Sequence, residues 1–293
     1  MNNLNIYEKI TAQIIESLKQ NIVPWQKPWI GSAKAISHTN GRAYSLLNQF
    51  LLDKSGEWLT FRQIVSEGGK IKKGEKARFV VFWKFLPKYG TDENGEQIII
   101  GEYPMLRYYD VWHISQVEGI APKYDKEQNK SFEHEPIESA EKIVRDYVER
   151  EQLHLSRETE TDKAYYTPAF DSVSLPPISK FEIIEQYYST LFHELTHSTG
   201  AKQRLNREGV VNIDYFGSHQ YSKEELIAEL GAAFLVNLAG LDASKAFENS
   251  VAYIQSWLKV LQGDPKMIVS AASKAEQAAK YILSGERPTE QGE

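Results

Sequence analysis

The chain has no cysteine among its 293 residues. That excludes disulfide staples, thiolate metal ligands and thiol nucleophiles, so any bound metal must be held by histidine and carboxylate. Long hydrophobic runs are missing too. None approaches the roughly 20 apolar residues that span a bilayer, and no membrane partner is expected. The first ten residues lack a basic segment followed by an apolar one, so no secretory leader is expected and a cytoplasmic location is the default. Internal repeats are absent. A strong charge of one sign is also lacking, since the net charge is −6.

That near balance hides an asymmetry. Residues 1–120 carry 15 Lys and Arg against 12 Asp and Glu, with five of the six tryptophans, whereas the remainder carries 19 against 28. A basic, ring-rich front joined to an acidic back predicts two domains with different partners. The expected fold class is α+β, with an α/β front domain over 1–121 and a mostly helical back domain over 137–285. Polar residues 122–136 read as the linker and 286–293 as a disordered tail.

Apolar spacing predicts a helix over 4–20. Pro24 and Pro28 bracket Trp25 and Trp29 in an extended loop. Strands are predicted at Phe79 to Leu86, Ile98 to Ile100 and Met105 to Ile114, with a hairpin tip at Asp92 to Glu96. In the back half, helices are predicted over 137–152, 181–199, 243–262 and 265–284. Another runs from a capping box at Ser222 and Glu225 to about Ala239.

The most informative segment is His193-Glu194-Leu195-Thr196-His197. On a helix, positions i and i+4 share a face, so both imidazoles can reach one ion. Glu194 can then reach a water bound to that ion. A catalytic zinc site needs a third protein ligand and an open position. Gly200 ends the helix and lets the chain return. The next helix carries Glu225 and Glu229 beside Ala228, Gly231, Ala232 and Ala233, small enough for close helix approach. This arrangement resembles the zincins with a glutamate third ligand. Glu225 can fold back as a cap of its own helix, whereas Glu229 has no local role. Glu229 is therefore favoured as the ligand, with Glu225 the alternative and the other carboxylate orienting an imidazole. The plain alternative is an amphipathic helix with three polar residues at its surface.

Zn²⁺ is the expected ion, with Mn²⁺ or another divalent metal as alternatives. The chemistry is peptide hydrolysis, with Glu194 moving the water proton. Ser172 to Leu175 is a candidate edge strand for substrate, and Tyr215, His219 and Tyr221 are candidate oxyanion partners. In the front half, Lys70, Lys72, Lys73, Lys76 and Arg78 lie beside Phe79, Phe82 and Trp83. Cations track phosphates and rings stack on unpaired bases, which suits single-stranded nucleic acid; an ordinary alternating core strand is the competing explanation.

Across almost its whole length the chain resembles the ArdC-type antirestriction proteins of plasmids and other mobile elements. The matching stretches in front are residues 24–29, 40–44, 58–63, 69–74, 81–84 and 109–112. Behind, they include 165–168, 175–177, 193–200 and 224–235. The resemblance implies a single-stranded DNA-binding domain fused to a zincin-like metallopeptidase domain, and protection of incoming DNA from restriction. It makes Trp25, Lys27, Trp29, Arg42, Tyr44, Arg62, Lys70, Lys72, Lys73, Lys76 and Trp83 candidate DNA contacts. A protein substrate or target is expected, with a restriction or a replication protein as the candidates. Two other readings stay open at this point: a DNA-binding antirestriction protein whose metal site is structural or not proteolytic, and a nuclease.

Overall fold

The computed structural model describes residues 6–20, 22–26, 34–52, 54–93, 95–124, 136–159, 163–212, 218–246 and 251–287. The expected tail beyond 287, most of the expected linker, Lys27, Trp29 and Tyr215 lie outside them.

Helix α1 (Ile6–Lys19) forms because Ile10, Ile14 and Leu18 repeat every fourth residue and bury one stripe. After a 3-10 turn at Pro24–Gln26 come β1 (Ala35–Ser37), α2 (Leu46–Leu51), β2 (Gly56–Thr60) and α3 (Phe61–Ser66). Thr60 and Gln63 close a capping box at the start of α3. Then follow β3 (Lys70–Ile71), β4 (Arg78–Thr91), β5 (Gln97–His113) and β6 (Val117–Glu118). The main sheet has the order β1-β2-β5-β4, with β1 parallel to β2 and the other pairs antiparallel. The three strands expected between 79 and 114 are one long hairpin, paired from Arg78↔Val111 to Thr91↔Gln97 with a single register shift after Lys88. Because β2 pairs only with Val111 to His113, most of this hairpin stands out as a two-stranded ribbon.

The back half runs α4 (Pro136–Glu151), β7 (His154–Ser156), β8 (Tyr165–Thr167), β9 (Ser172–Ser174), α5 (Ile184–Ser198), α6 (Glu208–Val211) and α7 (His219–Leu238). It closes with α8 (Ala243–Ala246), α9 (Val251–Gly263) and α10 (Met267–Ser284). The small sheet has the order β7-β9-β8. No helix among the described residues is long and apolar enough to cross a membrane.

The two halves share a core. One buried cluster joins Ile10, Leu18, Trp25, Phe50 and Phe79 from the front to Leu226 and Leu230 of α7, Trp257 of α9, and Ile268 and Ala272 of α10. A second cluster packs α4 and α5 on the far sides of α7 and α10 through Tyr147, Leu191, Leu195 and Leu235. Thr11 Oγ1 donates to the Pro265 carbonyl at 2.7 Å, and the Leu46 amide donates to Glu276 at 2.9 Å. Trp25 corrects the expectation from its proline-flanked context. Its ring is 0% exposed and meets Phe50 and Trp257 edge-on. Deleting a buried ring of this size costs about 3–5 kcal/mol, so packing fixes this residue and no base can stack on it.

The start of the expected linker is docked. Lys123 Nζ pairs with Glu67 at 3.0 Å, and the Tyr124 amide donates to Glu57 at 2.6 Å. Glu57 and Glu67 flank the buried His38 ring, one at each nitrogen. Gly41, at φ +67, lies against the Tyr124 ring, 2.9 Å from where a Cβ would stand. The chain therefore stays attached to the front sheet at least as far as Tyr124.

Candidate metal centre

Helices α5 and α7 cross where Gly231 faces Thr196. A Cβ at Gly231 would stand 2.6 Å from Thr196 Cγ2, and Thr196 is fully buried, so the contact tolerates only glycine without displacement. Close approach brings the first turns of α7 against the His-bearing face of α5.

Three side chains converge there. His193 Nε2 and His197 Nε2 are 3.1 Å apart. Glu225 Oε2 lies 3.5 Å from the first and Oε1 3.5 Å from the second. Tetrahedral ligands about 2.1 Å from a zinc-sized ion sit about 3.4 Å from one another, which is the spacing found here. Among the described residues this is the one histidine and carboxylate cluster with metal-binding spacing. Burial alone would disfavour a charged His193, but Glu225, Glu194 and Glu229 outweigh it and raise its pKa to about 9. An environment that favours a proton so strongly also favours a cation.

Of the two candidate carboxylates, Glu225 rather than the favoured Glu229 is the one that lies beside both imidazoles. The reason is where α7 begins. Ser222 is not the cap: Ser218 is, accepting from the Tyr221 amide at 3.0 Å, and the helix starts at His219. Glu225 thus sits in the second turn with no capping role, level with the imidazoles. Glu229 is one turn further on, and its charge acts on His193.

The residue orienting His197 was not foreseen. Glu224 Oε1 is 3.3 Å from His197 Nδ1, which leaves Nε2 turned to the site. Glu224 is itself buried and gripped by Arg207, whose guanidinium donates to it at 2.6 Å. Burial pushes the Glu224 carboxyl upward, but the Arg207 charge and the bonds from His197 and Arg207 outweigh this and lower it to about 2. Arg207 also donates to Thr199 Oγ1 at 2.6 Å and to the Thr196 carbonyl at 2.7 Å, so it fastens the end of α5 to α7. Gly209 passes over Glu224 at a distance no side chain would permit.

The centre opens into a cleft of about 370 Å³ lined by Tyr165, Tyr166, Glu194, Val210 and Tyr221 as well as the three converging residues. The expected substrate edge, Ser172 to Leu175, is corrected. β9 is the middle strand, paired on both sides, while β8 is the outer strand beside the cleft. Tyr166 of β8 donates to Asp171 at 2.9 Å, and Asp171 is held by both terminal nitrogens of the buried Arg204 at 2.7 Å. Tyr221 bonds to Glu225; burial and the Glu225 and Glu194 charges push its hydroxyl up to about 12, so it is a neutral donor. His219 instead pairs with Asp264 at 3.0 Å and does not line the cleft.

The front candidates scatter. Arg42, Arg62, Lys70, Lys73 and Lys76 are exposed, and Lys72 is exposed with its ammonium on the Ser115 carbonyl. Tyr44 is half-buried and bonded to Tyr109. Trp83 is 44% exposed but stands on the opposite face of β4 from Phe82.

An ion-sized site between two helices, with the outer strand of a small sheet beside it, defines a zincin-like domain. Residues 141–274 match the family model described as a zincin-like metallopeptidase, and residues 4–112 match that of the N-terminal domain of anti-restriction factor ArdC. The fold is similar to the metal-free crystal structure of the antirestriction ArdC protein from plasmid R388, with TM-score 0.73, 30% identity, and 97% of this chain and 100% of that one covered. Its Mn(II)-bound structure matches with TM-score 0.70 and 31% identity over 95% of this chain and 97% of that one. A DNA primase TraC of Escherichia coli is 33% identical over 302 residues, 96% of this chain but only 27% of the primase. The chain belongs to the ArdC antirestriction family. The Mn(II)-bound relative and the donor set together point to a divalent metal.

Proposed function

We propose that this protein is an antirestriction factor that binds single-stranded DNA through its front domain and hydrolyses peptide bonds at a zinc centre held by His193, His197 and Glu225. The observation that carries the reading is the convergence of those three side chains at tetrahedral spacing, with Glu194 lining the same cleft. A zinc ion bound there supplies Lewis acidity toward a carbonyl and lowers the pKa of water. Glu194 is the general base: it accepts the proton of the attacking water and delivers it to the leaving amine. Tyr221, its hydroxyl turned from Glu225 once that carboxylate is engaged with the ion, donates to the developing oxyanion. The outer edge of β8 pairs with the substrate backbone in extended form, and the Tyr166–Asp171–Arg204 bonds hold that strand in place.

The test uses the full chain loaded with Zn²⁺ or Mn²⁺ and a pool of unstructured peptides, with cleavage read by mass spectrometry. Cleavage is expected to cease on chelation. Glu194→Gln is expected to keep stoichiometric metal and to lose about 10²- to 10⁴-fold of the rate, the usual contribution of a general base. Protection of DNA from restriction should fall with it. Full protection by a metal-loaded Glu194→Gln protein would show that proteolysis is not the route.

A further inference from the structure

Opposed residues on an antiparallel ribbon share a face, so the register of β4 and β5 sorts their side chains. Phe82, Lys84, Leu86 and Lys88 share a face with Arg107, Met105, Tyr103 and Gly101, and Val80 and Tyr109 continue it toward the sheet. Phe82 and Tyr109 touch, with ring centroids 5.4 Å apart. No acidic residue has a register position on this face between Val80 and Lys88. The opposite face differs: Phe79, Val81 and Leu106 enter the core there, and its carboxylates are Asp110 and Glu102.

The basic face is open. Phe82, Tyr103 and Tyr109 are 41%, 45% and 38% exposed, and Lys84, Lys88 and Arg107 are exposed as well. Side chains on one face of a strand advance about 6.6 Å per pair of residues, so cations and rings alternate along the ribbon within reach of one extended polymer. Bare rings have no use for a duplex, whose bases are already stacked; they suit a strand whose bases are free. Where the ribbon meets α10 there is a cleft of about 470 Å³, lined by Phe82 and Tyr109 of this face, by Trp83 and Leu106 of the other, and by Glu276 and Lys280 of α10.

We infer that this face of the β4–β5 ribbon is the track for single-stranded DNA. Lys84, Lys88 and Arg107 contact phosphates, while Phe82, Tyr103 and Tyr109 stack on bases. The inference rests on the DNA-binding reading above and moves the contacts away from the lysine turn at 70–76. There Lys72 is engaged with the Ser115 carbonyl, and the nearest expected ring, Phe79, is buried.

The experiment measures fluorescence anisotropy of labelled oligothymidylate, and of an abasic strand of equal length, with the full chain at several salt concentrations. Every substituted residue is exposed, and circular dichroism checks the fold of each variant. Lys84→Gln with Arg107→Gln is expected to weaken both strands about tenfold or more and to reduce the salt slope by about 1.4, the share of two phosphate contacts on a single strand. Phe82→Ala with Tyr103→Ala is expected to weaken oligothymidylate by about tenfold or more and leave the abasic strand unchanged. If both ribbon variants bind like the unaltered protein while Lys72→Gln with Lys73→Gln loses affinity, the track is overturned and the DNA-binding reading survives. If the unaltered protein binds neither strand, that reading itself fails.

Discussion

Glu225→Ala is expected to lower metal affinity by more than about 100-fold and to leave the protein without stoichiometric zinc after dialysis. Changing a residue that only supports a ligand typically costs 10- to 100-fold, so loss of a ligand should exceed that range. The Glu225 carboxylate lies 3.5 Å from the Nε2 atoms of both histidines. Without it, two imidazoles remain, and two ligands do not hold zinc against water. Glu229→Ala is the decisive companion. Glu229 lies one turn beyond Glu225 and its charge acts on His193, so its removal should change affinity by less than about tenfold. Isothermal titration of both variants with Zn²⁺ reads the difference. Equal losses would return Glu229 to the first place that the sequence favoured.

The second large effect is on stability. Arg207→Met is expected to destabilise the protein by about 3–5 kcal/mol, because it strands a buried carboxylate without its counter-charge. Glu224 is 5% exposed and takes three of its contacts from this one guanidinium. Thr199 Oγ1 and the Thr196 carbonyl lose their donor at the same time. The melting temperature should fall by about 5–8 °C, as expected for a chain of this length. The double variant Arg207→Met, Glu224→Gln removes the stranded charge and should recover part of that loss. It should not recover metal affinity, because the orientation of His197 through Nδ1 then depends on a neutral amide. A melting temperature unchanged in the single variant would mean that the Arg207–Glu224 pair does not hold α5 to α7.

What the sequence carried and what it did not divides along physical lines. The imidazole pair was legible because helical periodicity is local: His197 is four positions after His193, and one turn of α5 does the rest. The choice of carboxylate was not, since it depended on a single N-cap. Ser218 and Ser222 are both good cap residues by type, and the helix uses the first. Arg207 and Glu224 were invisible for a different reason. Their pairing is made by a loop folding back over α7, and no spacing rule encodes that. Trp25 misled because prolines beside a ring look like an exposed loop, whereas the ring fills the junction between the two halves. Four of the eleven candidate DNA contacts came from the lysine run at 70–76 and the rest from motifs scattered through the front half. Face-sorting on the ribbon requires the pairing register, and Arg107 stands 25 positions from its partner Phe82. The domain class, in contrast, followed from motifs in the right order along nearly the whole chain, and the family matches bear it out.

The most direct test of the metal centre is anomalous diffraction from crystals of the protein grown with Zn²⁺. The expected result is one strong peak about 2.0–2.2 Å from His193 Nε2, His197 Nε2 and a Glu225 oxygen, with Glu224 on His197 Nδ1. A peak held by Glu229 with Glu225 turned away, or no peak between the two imidazoles, would contradict it.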